Sequence, residues 1–148
     1  MRTIAILALV ALVACLDATD VDDLLTLSLV ADKQSIGTND TVHLTITLAN
    51  HSGDDLTLTT PPCRPYFFAL DTLGRQITPS QTVCTTTPPA IILPAHDSVQ
   101  FAQYWSGEGR TTTGDTLRVA PGTYHLIALL YGTHTRLESR SVQVEVLP

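Results

Sequence analysis

Apolar residues recur at every second position in four short stretches of this 148-residue chain, and that period decides the fold class. Leu25, Leu27 and Leu29 alternate with Thr26, Ser28 and Val30, and Val42, Leu44, Ile46 and Leu48 alternate with His43, Thr45 and Thr47. Leu56 and Leu58 alternate with Thr57 and Thr59, and Val142, Val144 and Val146 with Gln143 and Glu145. Successive side chains of a strand point to opposite faces, so each stretch reads as a strand with one face in a core and one in water. No stretch of the mature chain sustains a 3.6-residue period, so little or no helix is expected. The many threonines suit half-exposed strand positions. One Met and three Phe leave the core to Val, Leu and Ile.

Turn chemistry separates these runs. Gly37-Thr38-Asn39-Asp40, Thr72-Leu73-Gly74 and Pro121-Gly122 supply positive or preset φ. Ser52-Gly53-Asp54, between two alternating runs, reads as a hairpin. Tyr124 to Leu130 is apolar on both faces and is expected at the centre of a sheet. Ser106 to Asp115, rich in Gly and Thr, reads as an exposed loop, with Trp105 beside it as a core residue. The spacing of runs and turns implies an all-β, immunoglobulin-like antiparallel β-sandwich of about seven to nine strands, by the rule for such folds. Residues 24–148 are enough for one such domain.

What precedes the domain reads as an export signal. Arg2 is the only charge before Cys15, and Ile4 to Val13 is apolar. That run is too short to cross a bilayer, which needs about 20 apolar residues. It ends Leu12-Val13-Ala14-Cys15, which resembles the lipobox of bacterial lipoproteins. The resemblance implies that residues 1–14 are a signal peptide, removed so that Cys15 becomes the acylated N-terminus. Two or more acyl chains would hold the protein stably on the bilayer, where one is marginal. Residues 15–23 carry Asp17, Asp20, Asp22 and Asp23 and read as a solvated tether. The expected location is therefore exported and lipid-anchored to a bacterial membrane, on its periplasmic or extracellular face.

Losing Arg2 with the signal takes the formal charge from −6 to −7. That acidity argues against nucleic acid, whose phosphates need a basic patch. With Cys15 committed to lipid, Cys63 and Cys84 remain, and in an oxidising compartment their expected state is a disulfide. On the chain-entropy model such a bridge contributes roughly 3 kcal/mol. It would tie Pro61-Pro62-Cys63-Arg64-Pro65 to the extended, proline-rich segment after Cys84.

Several segments resemble, in order, the intracellular proteinase inhibitor family of the Bacillus type, an immunoglobulin-like β-sandwich. They are Leu44 to Ser52, a strand ending in Asn and a small-residue turn, and Leu56-Thr57-Leu58-Thr59. Tyr66 to Arg75 follows, an aromatic strand running into an Asp-x-x-Gly turn, then Leu93 to Ser98, Tyr104 to Gly107 and Val119 to Tyr124. The chain departs from the family's pattern at Ile77-Thr78-Pro79, where the family has a tryptophan, and at Ala95-His96, where it has glycine. The resemblance implies an inhibitor of serine proteases acting through a rigid loop.

Such a loop must be extended and braced so that it stays in the protease cleft after attack. Thr85, Thr86, Thr87, Pro88 and Pro89, directly after Cys84, have that make-up. They are loosely similar to the reactive loop of Bowman–Birk inhibitors, which would put Thr86 at the specificity position. The alternative reading is a non-enzymatic envelope module that binds another protein. Catalytic motifs are missing: there is no Gly-x-Ser-x-Gly elbow, His-Glu-x-x-His pair or phosphate loop. Five scattered histidines lack ligand spacing, so no metal or cofactor is expected.

Overall fold

Val42 to Leu48 shows why the alternating stretches become strands. Val42, Leu44, Ile46 and Leu48 are each at most 1% exposed, while His43 and Thr45 between them face solvent. Burying each large aliphatic side chain contributes roughly 1.5–3 kcal/mol, so only one register serves the core. The computed structural model describes residues 24–60, 66–79, 87, 90–110, 115–131 and 136–148. Its elements are β1 (Leu25–Ala31), β2 (Ser35–Ile36), β3 (Val42–Asn50), β4 (Leu56–Thr59), β5 (Tyr66–Leu70), β6 (Gln76–Pro79), β7 (Ala90–Leu93), β8 (Ser98–Trp105), β9 (Glu108–Arg110), β10 (Thr116–Arg118), β11 (Gly122–Tyr131), β12 (Arg136–Glu138) and β13 (Val142–Val146). Nine of these have four or more residues, at the top of the expected range, and four are pieces of two or three.

Two layers enclose the core. One is the three-stranded sheet β1-β3-β8; the other runs β10-β9-β6-β5-β11-β13-β2, with β12 also on β11. All pairings are antiparallel except β13 with β2. As expected, β11 is central, paired with β5 on one side and with β12 and β13 on the other. Between β12 and β13 three residues, 139–141, stand opposite two on β11, and this bulge is pinned by the Ser139 hydroxyl accepting from Ala128 N–H at 2.9 Å. Trp105, fully buried, meets the ring of Tyr124 edge-on at 5.5 Å. Tyr124 Oη donates to the Ala120 carbonyl four residues upstream at 2.7 Å, the arrangement of a tyrosine corner.

The structure corrects two local expectations. Ser52-Gly53-Asp54 does not close a hairpin, because β3 pairs with β1 and β8 while β4 pairs with β7. Instead β3 and β4 run side by side with β8 and β7 as one ribbon, broken where residues 50–55 stand opposite 94–97. Asn50, 1% exposed, stitches this corner. Its Nδ2 donates to the carbonyls of Asp54, Leu93 and Pro94, and its Oδ1 accepts from Ser52 N–H and Oγ–H. On the opposite arm His96 adopts φ 57, a left-handed conformation that glycine takes at no steric cost.

The second correction concerns the segment read as an exposed loop from Ser106. Its first half crosses between the sheets and enters β9, with Gly107 and Gly109 buried. Gly107 has φ +74, and a Cβ on Gly109 would collide with Ile77 Cγ2. These glycines admit close packing, whereas composition made them look like loop punctuation.

Candidate docking surface

Because residues directly opposite in an antiparallel pair share a face, the register fixes what the β1-β3-β8 sheet shows to solvent. Tyr104 lies against His43, and Ala102 against Thr45, which lies against Val30. Gln100 lies against Thr47, which lies against Ser28, and Ser98 against Ala49, which lies against Thr26. These eleven positions contain no Asp, Glu, Lys or Arg. Val30 is 61% exposed and Tyr104 49%, so apolar and aromatic area stands open among hydroxyls and an amide. Asp32 borders the face at one end, its Oδ1 accepting from His43 N–H at 2.8 Å. At the other end Thr26 Oγ1 and His51 Nε2 share a 2.8 Å hydrogen bond.

The opposite sheet is built differently. By the same register its outer face carries Arg110, Arg136, Glu138 and Glu145. Arg136 pairs with Glu138 and lies 5.8 Å from the centre of the Tyr131 ring. Tyr131 in turn lies 6.2 Å from Tyr66, whose hydroxyl is pushed up, first by burial and then by its hydrogen bond with Tyr131. On this outer face Phe68 and Leu129 are nonetheless buried, while Phe67 and Ala69 point into the main core. The outer face of the larger sheet thus carries charges of both signs, whereas the eleven outward positions of β1, β3 and β8 carry none.

The edges differ as well. The larger sheet ends in β10 and β2, of three and two residues, which offer little backbone to a neighbour. The β1-β3-β8 sheet ends in strands of seven and eight residues, Leu-Thr-Leu-Ser-Leu-Val-Ala and Ser-Val-Gln-Phe-Ala-Gln-Tyr-Trp, with no charge and no proline. Beside β1 runs a cleft of about 540 Å³. Leu25, Leu27 and Leu29 line it on one side and Leu137 and Val142 on the other, with exposed Glu138, Arg140 and Ser141 at the bulge.

Of the residues singled out in the sequence, Cys15, Cys63, Cys84, Thr85, Thr86, Pro88 and Pro89 lie outside the described residues. Thr87 is described, exposed at a bend three residues before β7. His43, His51 and His96 are exposed and His125 half-buried, and no cluster of three metal-binding side chains occurs among the described residues. Asp55, one of the acidic pair after Gly53, accepts from Ala95 N–H across the corner at 2.9 Å. No described helix is long and apolar enough to cross a membrane. The uncharged face itself does not stand out in the sequence. Its signal is present, since every wet position of the three strands is neutral, but alternation alone reports only that those positions are wet.

The fold has counterparts. The C-terminal domain of wzt superposes with a TM-score of 0.54 at 12% identity, over 82% of this chain and 71% of that one. The β-glucosidase EmGH1 from Erythrobacter marinus gives 0.51 at 13% identity, over 83% of this chain. The chain spans only 15% of that enzyme's length. At such identities the likeness is one of fold. No curated protein matches the chain. The model of a family of unknown function, DUF7974, does match, from residue 21 to residue 147, and since that covers most of the sequence the chain belongs to this family.

Proposed function

We propose that this chain is an exported, non-enzymatic binding protein, held on a bacterial membrane through acylated Cys15, that docks another envelope protein on its β1-β3-β8 sheet. The observation that carries the reading is the uncharged outer face of that sheet on a chain of formal charge −6. Centres of protein interfaces are depleted of charge and enriched in aromatic residues, and Tyr104 beside His43 and Val30 beside Thr45 fit that description. A purely solvated sheet face gains solubility from charge, as the outer face of the larger sheet does. The acidic tether would hold the domain clear of the bilayer while the anchor keeps it close to membrane-bound partners.

Site-directed photo-crosslinking in intact bacterial cells tests this. A photoreactive residue at Thr45 or Gln100 is expected to join the full chain to one discrete protein species, whereas one at Gln76 or Thr116 on the larger sheet is not. Adding Thr45→Asp to the Gln100 probe should abolish the product. Equal labelling from both sheets, or none from the β1-β3-β8 sheet, refutes the reading.

The inhibitor reading is favoured by one observation. Thr87 is exposed just before β7, and the β7 ladder with β4 gives its segment a fixed C-terminal flank. Titration of the full chain against subtilisin-like, trypsin-like and elastase-like proteases tests it. Inhibition that is lost in Thr86→Gly would move the functional surface to residues 85–89, and inhibition that survives would move it to another loop.

A further inference from the structure

The hydrogen bonds at the two ends of β1 show which way its backbone groups point. His51 N–H donates to the Leu24 carbonyl at 2.8 Å, and Asp32 N–H to the His43 carbonyl at 3.0 Å. In an antiparallel ladder the bonded pairs recur at every second residue, so Thr26, Ser28 and Val30 turn their N–H and C=O groups to β3. Leu25, Leu27, Leu29 and Ala31 turn theirs the other way, where no described strand is hydrogen-bonded to β1. The side chains of the first three are buried, yet their outward backbone groups border the 540 Å³ cleft across from Leu137 and Val142. A hydrogen-bonding backbone edge, an apolar wall and Arg140 therefore meet in one place. Glu138 at that place is paired with Arg136, whereas Arg140 has no side-chain partner among the described residues.

We infer that β1 is a strand-acceptor edge, and that its ligand is an extended peptide segment of the docked partner. The segment has uncharged side chains, apolar at alternate positions, and ends in a carboxylate that meets Arg140. This rests on the reading of the β1-β3-β8 sheet as the docking sheet and says how the partner continues it. The added strand would exchange backbone hydrogen bonds with Leu25, Leu27, Leu29 and Ala31 and lay alternate apolar side chains into the cleft. Backbone pairing supplies affinity with little sequence demand, the cleft wall selects apolar side chains, and Arg140 selects the acidic group. Among the described residues the larger sheet ends in strands of two and three residues, which offer a peptide little backbone.

The test uses the full chain in detergent micelles and a synthetic seven-residue peptide that alternates threonine with leucine and ends in a free carboxylate. Amide hydrogen exchange at Leu25, Leu27, Leu29 and Ala31 should slow at least tenfold on peptide addition, with Thr26, Ser28 and Val30 unchanged. The same peptide N-methylated at alternate residues should give no protection. Arg140→Glu should weaken binding about tenfold, the loss expected for one charge-assisted hydrogen bond. Ser28→Lys, which puts a charge on the exposed side of the edge strand, should weaken it further. No peptide binding, or protection spread evenly along β1, overturns the inference. So does protection that appears without peptide and grows with protein concentration, since the occupant would then be a second copy of this chain. If Thr45→Asp still abolishes crosslinking while the peptide fails, the edge inference falls and the docking sheet stands.

Discussion

Replacing Asn50 by alanine should cost this domain a large part of its stability, although the position is a single amide at a strand end. The side chain is 1% exposed and makes five hydrogen bonds, three of them fully buried. Alanine removes the acceptor of Ser52 N–H and Oγ–H and a donor to the Leu93 carbonyl. A buried polar group left unsatisfied costs about 1–3 kcal/mol, and the bonds to Asp54 and Pro94 carbonyls can be partly replaced by water. The Ser52 hydroxyl can still donate to the Asp54 carbonyl, so two groups are left unsatisfied and the sum is roughly 2–6 kcal/mol, against about 5–15 kcal/mol for a whole domain. Asn50→Asp sharpens the test: it keeps the acceptor but aims a carboxylate at three carbonyl oxygens, so it should be no better than alanine. Ser52→Ala, which loses one hydroxyl, should cost only about 1 kcal/mol. Urea unfolding followed by fluorescence of Trp105, the chain's one tryptophan and fully buried, reads all three variants. If Asn50→Ala stays within about 1 kcal/mol of the parent at unchanged m-value, the corner is not held as argued.

Other consequences can be measured on the same domain. Gly109→Ala should destabilise by about 1–3 kcal/mol because its methyl meets Ile77 Cγ2, and a double-mutant cycle with Ile77→Ala should show that the two costs do not add. Tyr124→Phe should cost about 1 kcal/mol by losing the bond to the Ala120 carbonyl, with Trp105 fluorescence kept because the edge-on ring contact remains. The Arg75 backbone N–H, then its guanidinium and the Leu73 N–H, hold the Asp71 carboxyl below its ordinary value despite some desolvation. A folded pKa below the unfolded one gives stability that is present above the unfolded pKa and is lost as pH falls through the folded one. Asp71→Asn should therefore be less stable than the parent near neutral pH, with the gap closing below about pH 4 in urea melts taken at several pH values.

Much of the fold was legible because burial at strand positions is written one residue at a time. The inward residues of β1, β3 and β13 and the two-sided β11 follow from period two alone, and Tyr124 fills the corner role that sandwiches give such a tyrosine. The misread segments are those where the decisive partner is distant in sequence. Ser52-Gly53-Asp54 carries hairpin chemistry, but the partner that decides its shape is the arm at Leu93 and Pro94, reached through Asn50. Gly109 looks like a loop residue until Ile77, far away in sequence, comes against it. Leu129, on the outer face of the larger sheet, is buried as the two-sided apolar run of β11 implies.

The same reasoning separates the two halves of the docking surface. Composition of the face is local information: nothing charged stands at the wet positions of β1, β3 and β8, and the alternating runs themselves carry that fact. The edge is not local, because only pairing shows that β1 and β8 end their sheet while β2 and β10 end the other. Natural sheets blunt exposed edges with charge, proline, bulges or shortness. The larger sheet uses shortness at both ends and a charge, Arg118, on β10, so this chain has the means of protecting an edge and applies them to one sheet. Leaving two long neutral edges flanking a neutral face on the other sheet would, for an isolated domain, invite unspecific pairing. The proposed partner strand at β1 would remove that liability at the edge that borders the apolar cleft and Arg140. On the proposed reading, selectivity at β1 and neutrality across β3 and β8 would be two requirements of a single docking event.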